Sequence, residues 1–309
     1  MRIAIVGSGA MGCVFGGHLT EAGHDVVLID IWAEHVQALN KKGLFLTGVS
    51  GERTIRVHAV TEPRGLVKQD LVIVFVKSID TEDAIQKANS IIGSDTIVLT
   101  LQNGLGNAER IGELVGYERV AAGVTAHGAT ILGPGRIRHA GSGETNIGPL
   151  AASKFPQIRS IAATLTGAGI NTKAVKNVDS YIWSKLLVNA GINALTAILK
   201  MTNGDLVRNP EARQLLAMAV HEGITVACAK GIKLIPDDPI AYSIKTAMLT
   251  GSNISSMYQD VQAKRRTEID VINGGIVTEG QKHGISTPIN MVLTKLIKAI
   301  EINQGSVLS

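Results

Sequence analysis

The sequence predicts an α/β protein in two parts, with a doubly wound parallel sheet over residues 1–176 and an all-helical domain over residues 177–309. In the first part, short apolar runs of strand length alternate with helical patterns, as they do in parallel sheets whose strands are joined by helices. In the second part, strand patterns are few and the helical patterns are long. A chain of 309 residues is also long enough to bury two hydrophobic cores.

Composition narrows the classes of function. The formal net charge of +4 comes from dispersed Lys and Arg with no aromatic stripe among them, which argues against nucleic-acid binding and weakly for an anionic small ligand. Two cysteines are too few for a disulfide framework or a zinc site. No apolar run reaches the roughly 20 residues of a membrane span, and the chain begins with a strand rather than a signal sequence. We therefore expect a cytoplasmic protein with no membrane partner and no nucleic-acid partner.

The first predicted strand, Arg2 to Val6, ends at the motif Gly7-Ser8-Gly9-Ala10-Met11-Gly12, and a helical stretch from Cys13 to Ala22 follows. In this order of strand, glycine turn and helix, Gly7 permits the tight turn and Gly9 lets the backbone approach a pyrophosphate. Gly12 allows the helix to pack closely on the strand, and the helix N-terminus offers N–H groups to the anion. The motif predicts a dinucleotide site of the Rossmann type.

Asp30 follows the second predicted strand, Asp25 to Ile29, about twenty residues beyond the glycines. A carboxylate at this place accepts hydrogen bonds from the ribose hydroxyls and repels a 2′-phosphate, so it favours NAD(H) over NADP(H). Two alternatives stay open. Asp30 could instead be the N-cap of a helix that starts near Ala33, and Lys41 and Lys42 could draw the phosphate of NADP(H).

Two further strands bring polar groups to the same predicted edge. Lys77 follows the apolar run Leu71 to Val76, and Asn103 follows the run Thr96 to Leu101, with a helix from Asp80 to Ile92 between them. Ligands of open α/β sheets bind at the carboxyl ends of the strands. As alternatives, Lys77 could pair with Asp80, and Asn103 could only form an Asn-Gly turn.

The remainder of the first domain holds one more candidate. A strand from Val120 to Thr125 precedes His127, which is a candidate general acid. We rank it below another candidate, Lys185 of the second domain, because a lone His near a loop is more often structural. Glycine turns bracket Arg136 to Ala140 and predict a hairpin that continues with Thr145 to Ile147.

The stretch from Trp183 to Gly204 predicts an amphipathic helix that carries Lys185, Asn189 and Asn193 at intervals of four. At about 100° per residue these positions drift only about 40° per step, so they form one stripe roughly 12 Å long on an otherwise apolar helix. Such a stripe must face a partner that forms hydrogen bonds, and a polar ligand would serve. Alternatively, the amides contact neighbouring loops while Lys185 extends to water.

Later polar groups extend this candidate site. Asn203 stands in a predicted turn, and a polar run leads into a predicted helix from Ser256 through Glu268 to about Lys282. On a straight helix Glu268 would lie about 18 Å from Ser256, so we expect the two to contact different parts of the ligand pair. The alternative for Ser256 is a capping box with Gln259.

These motifs together resemble the ketopantoate reductase (2-dehydropantoate 2-reductase) family, and they span nearly the whole chain. The motif near the C-terminus is far more specific than the glycine turn. The residues that carry the resemblance are Gly7 to Gly12, Lys77, Gln102-Asn103-Gly104, Trp183-Ser184-Lys185 with Asn189 and Asn193, Asn203-Gly204, and NISSMYQD through RRTEIDVINGG.

The resemblance implies an NAD(P)-dependent reductase whose helical domain is like the C-terminal domain of 6-phosphogluconate dehydrogenase. It implies hydride transfer to the C2 ketone of 2-dehydropantoate, giving (R)-pantoate for pantothenate and coenzyme A biosynthesis, in a chain that could form a homodimer. Lys185 would be the general acid. Substrate contacts would come from Asn103, Lys185, Asn189, Asn193, Asn203, Asn253, Ile254, Ser255 and Ser256, and cofactor contacts from Lys77, Asn103, Ala129 and Glu268.

One position departs from the family pattern. The family commonly has an arginine near the end of the second strand that binds the 2′-phosphate of NADPH, whereas this chain reads Asp30-Ile31. On charge we favour NADH, with NADPH, the usual family cofactor, as the alternative. Two rival functions remain: a dehydrogenase of another 2-keto or 3-hydroxy acid on the same fold, and a non-catalytic dinucleotide sensor.

Overall fold

The computed structural model of the chain describes residues 1–305 and contains two compact units. Unit 1 comprises Met1–Gln102 and Asn107–Val178, and unit 2 comprises Asn103–Gly106 and the chain from Asp179 onward. The division predicted at residue 176 lies close to the end of unit 1 at Val178. The four residues Asn103–Gly106 belong to unit 2, although the chain before and after them belongs to unit 1. The sequence did not predict this feature.

Unit 1 is a mixed α/β structure. Its strands are β1 Arg2–Val6, β2 Asp25–Ile29, β3 Leu44–Gly48, β4 Arg53–Ile55, β5 His58–Val60, β6 Leu71–Val74, β7 Ile97–Thr100, β8 Val120–Thr125, β9 Gly128–Gly133, β10 Arg136–Gly141, β11 Thr145–Pro149 and β12 Thr172–Ala174. Its α-helices are α1 Ala10–Glu21, α2 Ala33–Lys42, α3 Thr81–Ala88, α4 Asn107–Val115 and α5 Phe155–Gly167.

The main sheet has eight strands in the order β12-β11-β8-β7-β6-β1-β2-β5. The six strands from β8 to β5 are parallel, and in chain order they give the arrangement 3-2-1-4-5-6 of dinucleotide-binding sheets. The pairing of β11 with β8 is antiparallel, and β12 runs parallel to β11, so these two strands run opposite to the other six. Chain progression reverses between β1 and β6, and this switch point is where such sheets open a crevice beyond the carboxyl ends of their strands. The fold class of unit 1 is as predicted.

A second sheet has four strands in the order β4-β3-β10-β9. The predicted hairpin between Arg136–Ala140 and Thr145–Ile147 is wrong, because β10 instead pairs antiparallel with β9 across the turn at Gly133-Pro134-Gly135. After a second glycine turn the chain leaves this sheet, and β11 joins the main sheet beside β8. Because glycine turns flank β10 on both sides, they could not indicate whether it pairs with the preceding strand or with the following one.

Two helical predictions in unit 1 need correction. The helix predicted from Asp80 to Ile92 is α-helical only in α3, with 3-10 turns at Ser78–Asp80 and Asn89–Ile91. The amphipathic helix α4 was not predicted, because glycines at both ends obscure a pattern of only nine residues.

Unit 2 is helical throughout its described elements. They are α6 Asp179–Leu199, α7 Asn203–Arg208, α8 Pro210–Ala229, α9 Pro239–Leu249, α10 Ser256–Gln262, α11 Asn273–Lys282 and α12 Pro288–Asn303.

The 21-residue helix α6 is the centre of the unit 2 core. Among the described residues it is the one helix long and apolar enough to cross a membrane by length and composition, but 67% of its most apolar window is buried inside the protein. Leu187 is fully buried, and a Cβ added at Gly223 of α8 would lie 2.3 Å from its Cδ2 atom. Burial in this core explains the apolar surface of α6.

The long helix predicted from Ser256 to Lys282 is wrong. The first segment, α10, ends at Gln262, and Lys264 adopts a left-handed φ of 53° that a continuous helix does not allow. A non-helical stretch then carries Glu268 before α11 begins at Asn273. The separation of about 18 Å inferred for a straight helix therefore does not apply.

Candidate active site

The glycine turn after β1 is shaped by contacts within unit 1. Gly7 has a φ of +90°, and a Cβ there would lie 2.6 Å from the backbone nitrogen of Val76. A Cβ at Gly12 would lie 2.1 Å from the carbonyl oxygen of Gly7, so α1 can approach β1 only without a side chain at this position. The protein's own backbone thus requires these two glycines, as the motif predicts.

Gly9 is different, because the protein leaves the space of a Cβ open there. Its φ is −65°, which any residue adopts, and an added Cβ would meet only the Cδ1 atom of Ile131, 4.0 Å away. Gly9 is also the N-cap of α1 and has no side-chain cap. Open space at a helix N-terminus is what close approach of a pyrophosphate needs. The turn therefore fits a dinucleotide.

Asp30 lies at the carboxyl end of β2 and is half-buried. The N-cap of α2 is Trp32 rather than Asp30, and the Asp30 Oδ1 atom accepts a hydrogen bond from the backbone nitrogen of Trp32 at 3.0 Å. The alternative of Asp30 as the N-cap is thereby wrong. Ile31, beside it, is uncharged and 85% exposed, so the stretch Asp30-Ile31 carries no positive charge.

Lys77 and Ala129 also belong to unit 1. Lys77 follows β6, where Gln102 donates from its Nε2 atom to the carbonyl oxygen of Val76 at 2.7 Å and to Thr81 at 2.8 Å. Gln102 thus fixes the backbone that precedes Lys77. Ala129 lies in β9, partly buried against the core.

In unit 2, the predicted polar stripe of α6 keeps its spacing within one unbroken helix. Lys185 and Asn189 are half-buried and Asn193 is 6% exposed. Burial lowers the pKa of Lys185 to about 8, and the negative charge of Glu268 opposes this shift. The ammonium is therefore held near its titration point at neutral pH.

Glu268 and Asn103 meet in unit 2. The Asn103 Nδ2 atom donates to the Glu268 Oε2 atom at 3.1 Å, and the backbone nitrogen of Leu105 donates to the carbonyl oxygen of Val271 at 2.9 Å. Gly104 has a φ of +84°, and a Cβ there would lie 2.6 Å from the Val271 carbonyl oxygen. The turn at Asn103 is thus real, and it joins Asn103 to the carboxylate that acts on Lys185.

The loop Asn253–Ser256 contacts both Asn203 and the stripe of α6. The backbone nitrogen of Asn203 donates to the carbonyl oxygen of Asn253 at 2.9 Å, and its side chain donates to Thr250 at 3.0 Å. The Ser255 hydroxyl donates to the carbonyl oxygen of Asn193 at 3.4 Å. The structure therefore brings Asn193, Asn203 and the loop Asn253–Ser256 together, and Asn203 lies in the first turn of α7 rather than in a free turn.

The two serines of this loop differ in role. Ser255, not Ser256, is the N-cap of α10, and its Oγ atom accepts from the backbone nitrogen of Tyr258 at 3.1 Å and from Thr196 at 2.8 Å. Ser256 is exposed. The alternative capping box of Ser256 with Gln259 is therefore wrong, while Ile254 contributes its carbonyl oxygen to Gln259 Nε2 at 3.2 Å.

Comparison with protein families accounts for most of the chain. Residues 3–152 match the family described as Ketopantoate reductase PanE/ApbA, and residues 177–301 match its C-terminal part, Ketopantoate reductase PanE/ApbA C terminal. The chain belongs to the ketopantoate reductase family.

Individual relatives cover this family member almost completely. The 2-dehydropantoate 2-reductase of Pyrococcus horikoshii is 38% identical over 97% of this chain and 98% of its own length, and that of Halobacterium salinarum is 36% identical over 96% and 98%. A ketopantoate reductase from Ralstonia eutropha superposes with a TM-score of 0.91 at 37% identity, covering 99% of this chain and 100% of its own. D-mandelate dehydrogenase with NADH and anilino(oxo)acetate superposes with a TM-score of 0.94 at 35% identity, covering 99% of both chains.

His127, considered above as a general acid, belongs to a partly buried histidine cluster in unit 1. Its Nδ1 atom lies 2.9 Å from the His139 Nε2 atom, their rings stack, and the His139 ring lies 6.0 Å from that of His18. Burial, together with the charges of His139 and His18, lowers the pKa of His127 to about 4. Near neutral pH His127 is therefore almost entirely unprotonated, and without a proton to donate it is a poor general acid.

Among residues 1–305, no group of three His, Cys, Asp or Glu side chains could hold a metal ion.

We expect acid to destabilise unit 1 through this cluster. The pKa of His127 falls from 6.5 to about 4 on folding, so the unfolded chain binds more protons between these values and stability is lost as the pH falls through that window. The melting temperature should drop by about 2–4 °C for each kcal/mol lost.

The variant His127→Phe keeps a ring beside Phe15 but cannot be protonated, so its melting temperature should fall less steeply with pH than that of the wild type. His221→Gln, which changes an exposed histidine of unit 2, is the control and should follow the wild type. Equal slopes for His127→Phe and the wild type would contradict this account.

Proposed function

We propose that this chain is a 2-dehydropantoate 2-reductase, which reduces the C2 ketone of 2-dehydropantoate to the hydroxyl of (R)-pantoate. The observation that carries the proposal is Lys185, an ammonium on an apolar helix with a pKa of about 8, in line with the amides of Asn189 and Asn193. Curated relatives of that name, similar over nearly the full length, support the same reaction.

The chemistry divides between the cofactor and the chain. A reduced nicotinamide dinucleotide supplies the hydride when bound. Lys185 donates a proton to the ketone oxygen, and its positive charge stabilises the negative charge that develops there. Glu268 raises the pKa of Lys185 against the effect of burial, so that more of the lysine is protonated at neutral pH. The amides of Asn189, Asn193 and Asn203 hold the polar groups of the substrate.

A second candidate is a reductase of another 2-oxo acid. The similarity to D-mandelate dehydrogenase, at a TM-score of 0.94, favours it, because the anilino(oxo)acetate in that structure is itself a 2-oxo acid. The deciding experiment is loss of nicotinamide absorbance with 2-dehydropantoate and with phenylglyoxylate, each with NADH and NADPH. A much higher kcat/KM for phenylglyoxylate would reject the first proposal, and no turnover with either acid would revive the dinucleotide sensor. The cytoplasmic location and the homodimer stay predictions.

Replacing Lys185 by Ala should lower kcat by at least about 100-fold, because the general acid and its charge are both removed. The dissociation constant for NADH, measured by fluorescence titration, should change little. Lys295→Ala, which removes an exposed lysine of α12, is the matched control. Wild-type turnover in Lys185→Ala would exclude the assigned role.

The pH profile provides an independent check of the same residue. Ketone reduction needs protonated Lys185, so kcat should decline above about pH 8, where the lysine loses its proton. Lys185→Arg stays charged at all accessible pH values, and its residual activity should lack this decline. A decline at the same pH in both proteins would assign it to another group.

Asp30 should set the cofactor preference in favour of NADH. Asp30→Asn preserves the acceptor for the Trp32 backbone nitrogen but removes the charge that repels a 2′-phosphate. We expect the ratio of kcat/KM for NADH to that for NADPH to fall about tenfold, a change of about 1.4 kcal/mol. Glu34→Gln, at an exposed carboxylate in the first turn of α2, should leave the ratio unchanged. An unaltered ratio in Asp30→Asn would show that another group discriminates.

A further inference from the structure

His35 is a buried histidine beside the glycine turn to which neither the motifs nor the family resemblance assigns a role. It lies in α2, is 0% exposed, and its Nε2 atom is 3.0 Å from the carbonyl oxygen of Ser8. On the other side of the ring, the backbone nitrogen of Gly135 donates to its Nδ1 atom at 3.1 Å. One imidazole thus links the glycine turn of the main sheet to the turn between β9 and β10 of the second sheet.

These two contacts fix the protonation state of the ring. Nδ1 accepts from a backbone N–H group, so it carries no proton, and the proton of the neutral imidazole is on Nε2. Nε2 therefore donates to the Ser8 carbonyl oxygen. Burial lowers the pKa of His35, and the nearby negative charge of Asp30 opposes this less strongly, which is consistent with a neutral ring.

The orientation of the ring is restrained by Trp32. The indole and the imidazole stack with centroids 5.0 Å apart and planes 13° from parallel. The rotation of the imidazole about its side-chain bonds is thereby limited, and both nitrogens stay in line with their partners.

The Ser8 carbonyl determines the direction of the next N–H group. Its oxygen accepts from His35 and also from the Cys13 thiol at 3.0 Å, so it is fixed on the buried side of the turn. In a planar trans peptide the C=O and N–H bonds point in opposite directions. The N–H of Gly9 consequently points away from His35, at the one glycine of the motif whose Cβ space the protein leaves open.

We propose that His35 is a positioning residue for dinucleotide binding, which holds the Ser8 carbonyl inward and thereby aims the Gly9 N–H group at the pyrophosphate. The inference rests on the proposed function in one respect, namely that the glycine turn binds a nicotinamide dinucleotide.

Two substitutions separate the hydrogen bonds of His35 from its ring. His35→Phe keeps a ring against Trp32 and removes both hydrogen bonds. His35→Gln loses the ring but offers one donor and one acceptor at a similar separation. His221→Gln, which changes an exposed histidine of unit 2, is the matched control.

The measurement is the dissociation constant for NADH and for ADP-ribose, which carries the pyrophosphate without the nicotinamide, by fluorescence titration and calorimetry. We expect His35→Phe to weaken both ligands about tenfold, since an unpaired buried carbonyl and N–H group reorient the turn. At saturating NADH its kcat should stay within about twofold of the wild type, and His35→Gln should regain most of the affinity. His221→Gln should bind like the wild type.

The outcomes are distinct. If the wild type binds NADH and His35→Phe binds it equally well, or if both His35 variants weaken binding equally, the positioning role is wrong while the proposed function stands. If the wild type binds neither NADH nor NADPH, the proposed function fails with it. Should His35→Phe fail to fold, ¹⁵N NMR of the imidazole in the wild type decides, because a ring protonated on Nδ1 would overturn the proposal.

Discussion

The chemistry proposed for this protein depends on an ammonium group held on an apolar helix. Burial disfavours the charged form of Lys185 and lowers its pKa, and the carboxylate of Glu268 raises the pKa again in part, to a resulting value of about 8. A fully exposed lysine would keep its proton too firmly to be a good acid near neutral pH, and a buried lysine without an opposing carboxylate would lose it. Asn103 donates a hydrogen bond to Glu268, so the carboxylate that raises the pKa of Lys185 is held by the short segment Asn103–Gly106.

In unit 1 the glycine motif combines two requirements of different origin. Gly7 and Gly12 are needed because neighbouring backbone atoms occupy the space of a Cβ, whereas at Gly9 the space of a Cβ is open. The first pair is therefore required by folding, and Gly9 is the position left open for the proposed dinucleotide. Packing thus distinguishes glycines that the sequence motif treats alike.

Much of the fold could be predicted from the sequence, because long apolar runs and amphipathic periods report directly on burial. The strands of the parallel sheet and the stripe of α6 follow from such patterns. Elsewhere the decisive interaction lies far away in the chain. The partner of β10 is β9 rather than β11, and the break after Gln262 depends on the left-handed backbone of Lys264, which a helical pattern does not announce. The same limit applies to the site: the position of Asn103 beside Glu268 joins residues 165 apart, and periodicity carries no information over that distance.

The thiol of Cys13 lies in the interior of the glycine turn, donating to the carbonyl oxygen of Ser8. Burial, with the charge of Asp30, raises its pKa far above the ordinary range, so almost no thiolate exists at neutral pH. Cys228, the other cysteine of the chain, is exposed on α8 of unit 2. A maleimide or iodoacetamide applied to the folded protein will therefore label Cys228 of unit 2 and leave Cys13 in the glycine turn unmodified. Cys228 thus gives a single attachment point for a fluorophore.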